Sequence, residues 1–211
     1  MQKSVYSLVL SDEVVTRIDR AAYAMKTNRS SLINRILAEY LSMSTPEMQV
    51  REVFEAVEAL LGSSGSLRLL ERQGEGQMAL RSAIAYKYNP TARYQLELFG
   101  ADPDFAGRLR VTLRTQNAAL LDHATEFFTV WDELERRLLG VSRSEIEPGR
   151  LTRTLARPED CAGESLGACI AGYIRLFDNA LKHWFDRLGD PHAPRELAQS
   201  YREHLKSNPS I

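Results

Sequence analysis

The residues with the clearest capacity for recognition chemistry lie near the start of this 211-residue chain. Asn28-Arg29-Ser30-Ser31 stands immediately before an apolar-periodic run. The first backbone N–H groups of a helix have no intrahelical acceptor and sit at the positive end of its dipole, so this tetrad forms a ready anion site. Elsewhere the chemistry is sparse. His123, His183, His192 and His204 are scattered and lack metal-ligand spacing. Cys161 and Cys169 lie eight apart and make no disulfide framework; a redox pair near a helix start is the minority reading. No phosphate-binding Gly-rich loop, nucleophile–base signature or paired catalytic carboxylates are visible. The sequence therefore predicts no enzyme, no cofactor and no metal.

The elements that must position the tetrad follow from local pattern. Residues 4–10 (Ser-Val-Tyr-Ser-Leu-Val-Leu) are rich in strand formers. Ser11 is a helix cap, and Asp12 and Glu13 suit the positive helix end. Val14, Ile18, Ala21, Ala22 and Met25 continue at helical spacing, predicting a helix over 12–26. Thr27-Asn28-Arg29 is a polar break, and Ser30 is a second cap. Leu32, Ile33, Ile36, Leu37, Tyr40 and Leu41 give a second helix, ended before Pro46. This first stretch to residue 45 holds six Lys/Arg against four Asp/Glu, while the whole chain is −1. Bulk charge thus excludes non-specific coating of nucleic acid, but the sign asymmetry fits a basic module on an acidic body.

Downstream, residues 47–61 read as a helix and Gly62–Ser66 as a flexible interruption. Three strands are predicted over 78–88, 92–99 and 108–114, an antiparallel meander with one wet face carrying Arg108, Arg110 and Arg114. Tyr86, Tyr88, Tyr94 and Phe99 with Arg81, Arg93, Arg108, Arg110 and Arg114 on that meander suggest an RNA or small-anion surface; an ordinary solvated face is the preferred reading. Long helices are predicted over 117–139 and 163–188, and a short one near 195–206, with 141–160 irregular. Phe127, Phe128, Trp131, Tyr173, Phe177, Trp184 and Phe185 are expected as core, and Gly163, Gly167 and Gly172 as points of close helix approach.

Strand, capped helix, short turn and capped helix within about 40 residues resemble the ribbon-helix-helix (MetJ/Arc/CopG) superfamily of DNA-binding regulators. Leu10-Ser11 and Asn28-Arg29-Ser30-x-x-Ile33-x-x-x-Leu37 carry the resemblance, which covers roughly residues 3–42. It implies an intertwined dimer whose paired strands enter the major groove. On that reading Tyr6, Leu8, Leu10, Ile33, Ile36, Leu37 and Tyr40 form the dimer core. Lys3, Val5, Ser7 and Val9 face the bases, and Asn28, Arg29, Ser30 and Ser31 face phosphates. Val5 and Val9 depart from the polar residues usual on that face and offer thymine-methyl contacts, with Ser7 hydrogen-bonding a base edge.

The expected fold class is α+β and mostly helical: an N-terminal ribbon-helix-helix, then a C-terminal domain with a three-stranded meander and long helices. The expected organisation is a DNA-binding domain over 1–45, a helical connector and flexible linker over 46–76, and a C-terminal α+β domain over 77–211. The C-terminal domain is read as serving oligomerisation, an effector or a protein partner. The function implied is a cytoplasmic, sequence-specific transcriptional regulator and repressor, a homodimer or tetramer on double-stranded DNA without membrane association. The alternatives are an antitoxin or a DNA-binding accessory protein of plasmid partition or transfer.

Overall fold

A computed structural model describes residues 7–41, 46–62, 67–73, 76–100, 102–140, 143–158 and 165–211. The chain divides into two compact units, Met1–Gln49 and Val50–Ile211. Among the described residues no helix is long and apolar enough to cross a membrane.

The first unit holds a pair of helices, α1 (Asp12–Ala24) and α2 (Arg29–Tyr40). Ala22, Leu32 and Ala38 are buried. The turn between the helices is closed by Thr27 N–H donating to Ala22 O (2.9 Å) and Lys26 N–H donating to Tyr23 O (3.1 Å). This is the hydrogen-bond pair of a Schellman motif. Lys26 adopts the left-handed conformation it requires, at φ 51°.

The next helix, α3 (Pro46–Gly62), begins in the first unit and runs into the second. It buries Val53, Phe54, Val57 and Leu61 in the second unit's core. Six strands follow: β1 (Leu67–Gln73), β2 (Gln77–Ala83), β3 (Thr91–Leu98), β4 (Phe105–Arg114), β5 (Ser144–Glu147) and β6 (Arg150–Ala156). They form one antiparallel sheet in the order β1-β2-β3-β4-β6-β5. Side chains alternate across a strand, so one face of the sheet is apolar and covered and the other is wet. The covered face presents Met78, Leu80, Tyr94, Leu96, Leu109, Val111, Leu151 and Leu155, all buried.

Helix α4 (Ala118–Leu139) is inserted between β4 and β5, and α5 (Leu166–Asp186) and α6 (Ala193–Ser207) complete the unit. Asn117 and Ser165 cap α4 and α5, accepting from the backbone N–H groups of Leu120 and Ala168. The predicted core aromatics are buried, with Trp131 and Phe177 at the centre, their ring centroids 5.1 Å apart. Gly167 supplies one of the expected close approaches. A Cβ there would lie 2.5 Å from Ala56 Cβ and 2.9 Å from the Val53 carbonyl oxygen, so only glycine lets α3 and α5 meet at this point.

This architecture corrects the expected fold class. The described residues form six helices and a six-stranded antiparallel sheet, where the sequence predicts a three-stranded meander. The described part of the N-terminus is helical (α1 to α3), without a strand: residues 7–11 are irregular, and residues 1–6 lie outside the described residues. A strand exists only where its N–H and C=O groups meet a partner strand, and in the single chain residues 7–11 have none. The expected connector contributes α3 to the core and β1 to a sheet edge. The region expected to be irregular holds the β5–β6 hairpin, closed by Pro148-Gly149 with Gly149 at φ +66°.

The concealed signal in that hairpin is Arg153. On β6 the inward positions are Leu151, Arg153 and Leu155, and Arg153 is only 1% exposed. Its Nε donates to Glu135 Oε2 (2.7 Å) and its Nη1 to the Ile211 main-chain oxygen (2.7 Å). Glu135 Oε1 also accepts from the Tyr173 hydroxyl (2.8 Å) and the Tyr201 hydroxyl (3.1 Å), and Trp131 Nε1 donates to the Tyr173 oxygen (3.1 Å). The guanidinium stacks on the Tyr173 ring, 4.7 Å from its centroid. Burial opposes the charge on Arg153, but Tyr173, Glu135 and Tyr201 outweigh it and hold its pKa above the ordinary value. Burial is also the first cause that pushes the Tyr173 and Tyr201 phenols up.

Removing one partner of a buried ion pair leaves the other uncompensated. Glu135→Leu is therefore expected to destabilise the second unit by about 3–5 kcal/mol, and Arg153→Leu by a similar amount. The double variant should recover much of that loss, since neither charge then remains stranded. Urea unfolding followed by tryptophan fluorescence reads all three; a double variant as unstable as the sum of the singles would contradict the account.

Candidate nucleic-acid interface

The first turn of α2 is built by Asn28. Its Oδ1 accepts from the Ser31 N–H (2.8 Å), and its carbonyl accepts from the Leu32 N–H (3.0 Å). Asn28 is thus the cap, and Ser30 lies inside the helix. The Ser31 N–H, counted in the tetrad as an anion donor, is thereby already taken. Asn28, Arg29, Ser30 and Ser31 are all exposed and share one helix terminus.

Arg29 is engaged as well. Its Nε and Nη2 donate to the two carboxylate oxygens of Asp19, at 2.7 and 2.5 Å. This fork ties α1 to α2 across ten residues of chain. The Arg29 hydrogen bond is the largest cause holding the Asp19 carboxyl below its usual range. Both side chains are about half exposed, so the pair is screened and remains open to exchange for another anion.

The lead into α1 is open. Ser7 and Val9 are exposed, Val9 fully, and Leu8 and Leu10 are 62% and 38% exposed. Lys3, Val5 and Tyr6 lie outside the described residues. Ser11 takes the extended backbone of a cap (ψ 149°) without a side-chain capping bond. Of the expected dimer core on α2, Ile33 is half-buried and Ile36, Leu37 and Tyr40 are exposed. The single chain therefore leaves an apolar set on the first unit that its own helix pair does not bury.

In the second unit, His183 Nε2 lies 2.6 Å from Glu196 Oε2, and Cys169 is buried; Cys161 is outside the described residues. Among the described residues no group of three or more His, Cys, Asp or Glu is placed to hold a metal. The Arg153–Glu135 network was not anticipated from sequence. Its trace is the placement of Asp132 and Glu135 on the buried stripe of α4. A second such pair, Asp178 and Lys182 on α5, holds the Tyr94 hydroxyl at 2.8 Å from Asp178. The first network is enclosed and the second is closed off by the part-exposed Lys182, and hydrogen-bonded partners of this kind suit a framework.

No family model, curated protein or solved structure matches the chain.

The Asp19–Arg29 fork sets a specific expectation. Asp19→Asn should remove the competitor for Arg29 and tighten binding to non-specific duplex, and loss of the Arg29 contact should lower the salt slope by about 0.9. Arg29→Ala should weaken binding across all sequences. Fluorescence anisotropy in a salt series checks both; equal slopes for the wild type and Arg29→Ala would show that Arg29 does not reach DNA.

Proposed function

We propose that the protein is a sequence-specific DNA-binding regulator, a repressor, acting as a homodimer or higher oligomer through its first unit. The observation that supports this most is the apolar set left uncovered on residues 7–41, beside a capped helix terminus suited to phosphate. Leu8, Leu10, Ile36, Leu37 and Tyr40 are more than a third exposed on a unit too small to bury them alone. A second copy would cover them. The resemblance of residues 3–42 to ribbon-helix-helix regulators agrees with a paired unit that places Ser7 and Val9 at base edges and the start of α2 at phosphates.

The second unit, with its own core, is larger than the short tail that the antitoxin reading calls for. It is the body on which oligomerisation or an effector would act.

Selection of bound sequences from random duplex DNA with the full-length protein tests the reading. A palindromic site is expected, with half-site spacing that reports dimer or tetramer. Leu37→Asp should dissociate the dimer in sedimentation and abolish selection, whereas Ser7→Ala should keep the dimer and alter preference at one base position. A correctly folded dimer that selects no sequence would sink the proposal.

A further inference from the structure

The wet face of the sheet is richer in arginine than an ordinary solvated face. The registers of the six strands place Arg68, Arg81, Arg93, Arg108, Arg110, Arg114 and Arg150 on it, against Glu71, Glu97, Glu145 and Glu147. Arg68, Arg81 and Arg93 stand directly opposite one another on β1, β2 and β3. Like charges directly opposite across strands destabilise a sheet. Arg93 is paired with Glu71, Arg108 with Glu97 and Arg150 with Glu147. Arg68, Arg81, Arg110 and Arg114 have no ion pair among the described residues, and the Nε atoms of Arg93 and Arg110 are buried without a hydrogen-bond acceptor. A chain of net charge −1 has gathered a positive surface here.

The size and chemistry of this surface restrict its ligand. From Arg68 on β1 to Arg150 on β6 the row crosses four strand spacings, roughly 19 Å, and Arg108 to Arg114 spans roughly 20 Å along β4. The concavity within it, lined by Gln77, Ala79, Gln95, Glu97, Arg108 and Arg110, holds only about 40 Å³. Metabolite sites are clefts of about 300 Å³ or more, so a small effector does not fit. The extent of the row suits an extended polyanion. The aromatics on this face are confined to one end of it, Phe105 at the start of β4 opposite Ala156 and Phe99 just beyond β3 beneath the Arg108 guanidinium, so the Arg68–Arg81–Arg93 row has none beside it; sheets that bind single strands rely on a run of such platforms. A duplex, whose bases are already stacked and whose phosphates form a continuous anionic rail, needs no such platform.

We infer that the arginine-lined open face of the six-stranded sheet binds the phosphate backbone of double-stranded DNA, independently of sequence. It would act as a second contact surface beside the sequence-reading unit proposed above. The face is predicted from charge complementarity alone and does not require that reading to hold.

The test uses the full-length protein and a 30-base-pair duplex lacking any selected site, with affinity measured by anisotropy across a salt series. The triple variant Arg68→Gln, Arg81→Gln, Arg114→Gln changes only exposed side chains. It is expected to lower the slope of log affinity against log salt by about 2.7, or 0.9 for each lost phosphate contact. The corresponding triple lysine variant should keep the slope, and the single Arg81→Glu variant should lower it if the triple glutamine variant does not fold. Unchanged slope and affinity in folded glutamine variants would overturn the inference. So would tighter binding of the wild type to phosphatidylglycerol vesicles than to the duplex, which would assign the face to a lipid surface. Should the operator reading fail, random-DNA selection would return no site while this slope change persisted, so the two failures are distinguishable.

Discussion

A guanidinium withdrawn from water has to be met by fixed acceptors, and the second unit is arranged around that requirement. Arg153 belongs to β6, Glu135 to α4, Tyr173 to α5, Tyr201 to α6, and the accepting main-chain oxygen to Ile211. Each of these groups would carry a desolvation penalty alone, so any shift of β6 along its neighbours would strand several of them together. The pair is weak evidence for high stability, because an apolar replacement of equal shape can serve as well. What it contributes is register. With β6 fixed against α4, the pairing of β4 and β5 to its two edges follows, and the alternation of the whole sheet is set.

The legibility of the fold follows the same division. Where periodicity and capping agreed, the sequence reading came close: α1, α2, α4 and α5 lie within a few residues of their expected spans, and β2, β3 and β4 occupy the expected meander. Arg153 is why β6 was missed. An arginine between Leu151 and Leu155 reads as a break in an apolar face, and only the distant Glu135 makes it an inward position. β1 was obscured by its own run of Leu, Arg and Glu, with a register shift between Leu69 and Glu71.

The site shows a finer limit. Two good capping residues, Asn28 and Ser30, stand two positions apart, and propensity ranks them together. The choice was made by the turn: Lys26 in the left-handed region brings Asn28 to the helix end and Asp19 within reach of Arg29. A partner ten residues away is not a sequence signal of the kind that i, i+4 spacing provides. The exposed tetrad at the start of α2 could therefore be located from sequence, but the carboxylate that engages Arg29 could not. Nor could the lead at residues 7–11, whose conformation depends on what lies beside it.

The row Arg68–Arg81–Arg93 raises the question of why a folded unit tolerates charges that repel. The cost is moderated because the exposed guanidinium groups of Arg68 and Arg81 lie in water of high dielectric and Arg93 is paired with Glu71. The interior can carry that cost, since strand register is held from the covered face by Arg153 and the apolar positions about it. The same repulsion falls when an anionic rail replaces the counterions gathered over the row, so part of the binding free energy is stored in the unbound sheet. A neutral or glutamine-lined face would be the more stable choice for a surface that only had to be wet. Stability has been given up there in a place where the gain on meeting a polyanion is largest, which is the usual relation between a strained surface and its function.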